Sequence, residues 1–123
     1  MARDNITVVL PTDDATKSLA SATITATTIS TSNNATIVGA TGCKDNSLAV
    51  IVDASTAGTV TFKAGVLDNA CLGDDSVACS SGLNVIRIEN PSRFQKADGN
   101  IDVDFTTVAG TIFAVGKKAG LKA

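Results

Sequence analysis

Asn100-Ile101-Asp102-Val103-Asp104-Phe105 is the stretch that decides the fold. Ile101, Val103 and Phe105 alternate with Asp102 and Asp104 at a period of two, and successive side chains of a strand point to opposite faces. An amphipathic helix would space its apolar residues by three and four instead. The stretch therefore predicts a strand with an apolar face for the core and an acidic face for water. Before it, Phe94-Gln95-Lys96-Ala97 runs into Asp98-Gly99. Asp-Gly suits a two-residue type I′ turn, whose central positions both take positive φ. The prediction is a hairpin with Asp98 and Gly99 at its tip.

The same period recurs outward from there. Residues 59–63 place Val60 and Phe62 inward and Thr59, Thr61 and Lys63 outward. Residues 83–89 place Ile86 and Ile88 on one face, with Arg87 and Glu89 on the other. The expected core is thus Val60, Phe62, Ile86, Ile88, Ile101, Val103 and Phe105. Residues 47–53 bring Leu48, Val50 and Val52 together, while Ala49 and Ile51 make the second face apolar as well. Residues 54–58 are small and of hairpin-loop length. Residues 21–30 alternate Ala and Ile with Thr, and residues 111–115 form a last strand after a turn at Ala109-Gly110. Helical candidates are short, at 13–19 and 66–70.

Many short strands separated by glycines predict an all-β chain, a single-domain antiparallel β-sandwich or barrel with which a jelly-roll arrangement is compatible. At 123 residues there is room for one domain. Residues 1–20 are expected as an N-terminal arm or edge segment, 21–116 as the sandwich, and 117–123 as a basic tail carrying Lys117, Lys118 and Lys122.

Composition narrows the chemistry. The chain has no His, Trp or Tyr, and its one Glu is Glu89. It therefore lacks the usual general base, zinc ligand and pH switch. A net charge of −2 without a basic stripe disfavours nucleic acid, and no apolar run is long enough for a membrane helix. The short apolar piece 6–10, broken by Pro11, Asp13 and Asp14, is not a signal-peptide core, so synthesis in a cytoplasm without export is expected.

Specific constellations are weak. Asp102 and Asp104 share a strand face, with Glu89 on another strand, and paired carboxylates can do acid–base work or hold a hard cation. Acids alternating with Ile and Val more simply form the wet face of a sheet. Asp68, Asp74 and Asp75 lack the spacing of a calcium loop. Serines have no histidine base, and no phosphate-binding glycine loop occurs. Catalytic, cofactor and metal residues are therefore expected to be absent. Asn5-Ile6-Thr7 and Asn34-Ala35-Thr36 are glycosylation sequons without meaning in a chain that is not exported. Of the cysteines Cys43, Cys71 and Cys79, the last two bracket a polar loop. They are either a disulfide closing it or two free thiols.

One resemblance runs through the C-terminal part. Thr59-Val60-Thr61-Phe62-Lys63-Ala64-Gly65, then Asn84-Val85-Ile86-Arg87-Ile88-Glu89, then Ser92-Arg93-Phe94-Gln95-Lys96-Ala97-Asp98-Gly99-Asn100-Ile101-Asp102-Val103-Asp104-Phe105 resembles small proteins encoded among the head genes of tailed bacteriophages. The likeness covers about residues 46–115. The inserted loop between Cys71 and Cys79 departs from it, and residues 1–40 have no counterpart. It implies a decoration, or cement, protein on the outer surface of the virion capsid. The implied partners are the shell of major capsid protein and other copies of the same chain, with a trimer favoured by analogy. A phage tail or baseplate module, or a bacterial surface adhesion module, is the alternative. A non-enzymatic, structural role is expected in every case.

Overall fold

A computed structural model describes residues 3–8, 26–39, 48–66, 73–89 and 91–116. Among these residues nine strands, β1 (Asp4–Thr7), β2 (Thr27–Thr28), β3 (Ala35–Val38), β4 (Leu48–Thr56), β5 (Gly58–Phe62), β6 (Asp75–Cys79), β7 (Gly82–Ile88), β8 (Ile101–Thr106) and β9 (Ala109–Val115), account for nearly all of the regular structure. They form two sheets: sheet A in the order β1-β3-β8-β5-β6, and sheet B in the order β2-β9-β4-β7. Every pairing is antiparallel except that of β1 with β3. The chain is an all-β sandwich.

Its architecture is a ribbon folded on itself. β8, β5 and β6 lie side by side in sheet A, and β9, β4 and β7 lie side by side in sheet B. Each of these three sheet A strands continues into, or out of, its sheet B counterpart across one short corner. The expected hairpin at 54–58 is therefore a bend: β4 runs on to Thr56, only Ala57 intervenes, and β5 starts at Gly58 in the other sheet. Strands that change sheet do so through bulges or sharp bends. The β4–β9 register indeed shifts between Ala54 and Thr56.

Close packing explains the bend. A side chain at Gly58 would run into the backbone of Thr106 and Val108, and one at Gly110 into the carbonyl of Asp53. Glycine is what lets the two bent strands touch here. Gly110, at φ 131°, lies inside β9, so the turn expected at Ala109-Gly110 falls earlier, at 106–108. There Val108 N–H donates to the Thr106 carbonyl at 2.7 Å, and the intervening Thr107 is held at φ 68°. This is a γ-type turn, rare and strained for a β-branched residue. The β6–β7 corner is held by the Asn84 carboxamide, which accepts from Ser80 N–H and donates to the Ser80 and Gly82 carbonyls.

The alternation read from sequence sets what lies between the layers. Inward rows run Ile6–Ile37–Ile101, Ala35–Val103–Phe62 and Phe105–Val60–Val77 in sheet A, and Ile86–Val50–Ala114 in sheet B. Val60, Phe62, Ile88, Ile101, Val103 and Phe105 are buried, and Ile86 packs half-buried against them.

Two further expectations change. The tip holding Asp98 and Gly99 is not a type I′ pair. Gly99 N–H donates to the Lys96 carbonyl, Lys96 N–H to the Asn100 carbonyl, and Asn100 N–H to the Asp98 carboxylate. Only Gly99, at φ 85°, has a positive φ in this turn. The loop is the three-residue kind, a turn over Ala97-Asp98 closed by a left-handed glycine. The expected strand at 94–97 shrinks to a bridge between Gln95 and Ile101, because Pro91–Arg93 begins a 3-10 helix.

The described part of the N-terminal segment joins sheet A. Residues 4–7 are an edge strand of sheet A, with Ile6 and Val8 buried, and Ile29, Ala35 and Ile37 complete the same core. Apolar burial makes this region part of the folding unit. The expected elements at 9–25, the helix candidate at 67–70 and the basic tail 117–123 lie outside the described residues.

Candidate functional site

The two outer faces differ in kind. On sheet A, outward residues of β3, β8 and β5 put Thr36 beside Asp102 and Asp104 beside Thr61. Arg3 lies across this face. Its guanidinium donates to the Ala35 and Val103 carbonyls at 3.0 and 3.1 Å and to the Asp104 carboxylate at 2.7 Å. Asp102 accepts from the Thr36 hydroxyl at 2.9 Å and pairs with Lys96 at 3.1 Å. Lys63 pairs with Asp74 at 2.8 Å, and Asp74 also accepts from Ala64 N–H. The Lys63 hydrogen bond, then the Ala64 amide, holds the Asp74 carboxyl below its ordinary range. The same bond raises the Lys63 ammonium.

Asp102 and Asp104 thus do share a face, but it is not simply wet. Each is only partly exposed and each is ion-paired. Glu89 lies beyond the end of β7 in the other sheet, so the three carboxylates are not brought together. Asp74 and Asp75 serve the Lys63 clamp and the start of β6, while Asp68 lies outside the described residues. Among the described residues, no group of three or more His, Cys, Asp or Glu side chains is placed to hold a metal. Cys79 is a free, buried thiol, and burial pushes its pKa up. Cys71, the other half of the pair considered in the sequence, lies outside the described residues.

The outer face of sheet B is mostly apolar, with Arg87 and Asp53 as its charged positions among the rows described. Its rows are Val85–Ile51–Phe113, Arg87–Ala49–Val115 and Leu83–Asp53–Thr111. Leu83 and Val85 are 69% and 62% exposed, on β7, an edge strand of that sheet among the described residues. Beside them the sandwich opens into a cleft of about 280 Å³, floored by Phe62, Val77, Ile86 and Phe94 and rimmed by Asp75, Arg87, Glu89 and Arg93. Arg93 is committed to this wall, donating to the Gly73 and Asp74 carbonyls and stacking on the Phe94 ring. An exposed apolar face next to an edge strand and a cleft is the candidate contact surface among the described residues. Comparisons with protein-family models, curated proteins and solved structures find no match.

Sequence reasoning missed two residues that matter for these faces. Asn34, noticed only as part of a sequon, sits at φ 58°, and its side-chain oxygen accepts from Phe105 N–H at 2.9 Å. It thereby extends the β3–β8 pairing by one residue. An Asn followed by a β-prone run was the available hint, since Asn tolerates the left-handed region. Arg3 looked like part of an arm, and nothing local signals that it reaches residues a hundred positions away.

Proposed function

We propose that this chain is a decoration protein that binds the outer surface of a tailed-phage head and stabilises it by contact, without turnover of any substrate. The observation that carries the reading is the outer face of sheet B. There Leu83, Val85, Ile51 and Phe113 form an apolar surface on a rigid two-layer frame. Shell attachment asks for such a surface and for no catalytic group. The resemblance of residues 46–115 to head-gene products supports the same reading. That span includes all three bent strand pairs that build the folded ribbon.

The physical action follows from linkage. A protein that binds the assembled shell and not its dissociated subunits shifts the equilibrium toward the shell. Repetition over symmetric sites multiplies a modest contact into a large gain in heat resistance. The chain would be made in the host cytoplasm and carried on the capsid exterior beside the major capsid protein.

The test adds purified protein to heads that lack it and follows saturable binding and the temperature of genome release. Binding with a raised release temperature is the expected outcome. Failure to bind heads, together with binding to tails or host cells, replaces this proposal with the adhesion reading.

A further inference from the structure

We draw no further inference here: the strongest candidate, the cleft between β6 and β7 floored by Phe62, Val77, Ile86 and Phe94, carries none, because its rim mixes Asp75 and Glu89 with two arginines already engaged within the chain and nothing in the structure shows what covers it.

Discussion

Sheets A and B share one core yet present opposite outer faces. On sheet A the outward positions of β8 are Asp102 and Asp104, each tied to a cation that comes from elsewhere in the chain. On sheet B the outward positions of β4 and β9 are Ala49, Ile51, Phe113 and Val115 with Asp53 and Thr111 at one end, and β7 adds Leu83, Val85 and Arg87. The difference teaches where stability and contact reside. Sheet A's outer face is bonded to itself and has its polar partners at home. Sheet B's face exposes Leu83 and Val85 to water, and the proposed shell contact would cover them.

Substitutions separate the two. The largest effect belongs to the shared core: Phe105→Ala should lower stability by about 3–5 kcal/mol in chemical denaturation. Next is Asp102→Ala, at about 1–3 kcal/mol, because it leaves the buried Thr36 hydroxyl and part of the Arg3 charge without their acceptor. If Asp102→Ala proved neutral, sheet A's face would be an ordinary solvated surface and the contrast would collapse. On sheet B, Val85→Thr should change stability by less than about 0.5 kcal/mol, as exposed positions do. The same variant should weaken shell attachment measured in parallel. A large loss of folding stability would mean that Val85 serves the core.

The smallest effect is one of pH, and it sharpens the account of sheet A. Asp74 is depressed below 3.8, so the part of its clamp that depends on charge is present above that pH and is lost as pH falls through the folded value. Lys63 is raised above 10.5, so its part is present below that pH and fades as pH rises through its higher folded value. Between these limits the clamp at 63–74 should hold. Carboxyl chemical shifts followed on acidification should show Asp74 titrating below the ordinary aspartate range.

Alternation alone determined much of this protein. Ile101, Val103 and Phe105 had to face one way and Asp102 and Asp104 the other, because a strand turns its side chains over at every residue. The core and the all-β class follow from that local rule. The doubly apolar pattern of residues 48–52 already pointed to a strand with no true solvent face. Tertiary structure alone decided the rest. Residues 54–58 look like a hairpin loop, and only the close approach of Gly58 to Thr106 and Val108 makes them a corner between sheets. Arg3 and Asn34 are unremarkable in sequence, and their roles arise from distant partners, 100 positions away for Arg3 and 71 for Asn34. Period-two patterning reports which face a side chain takes. It carries no information about which strand will lie beside it, because that choice is made by contacts distant in the chain.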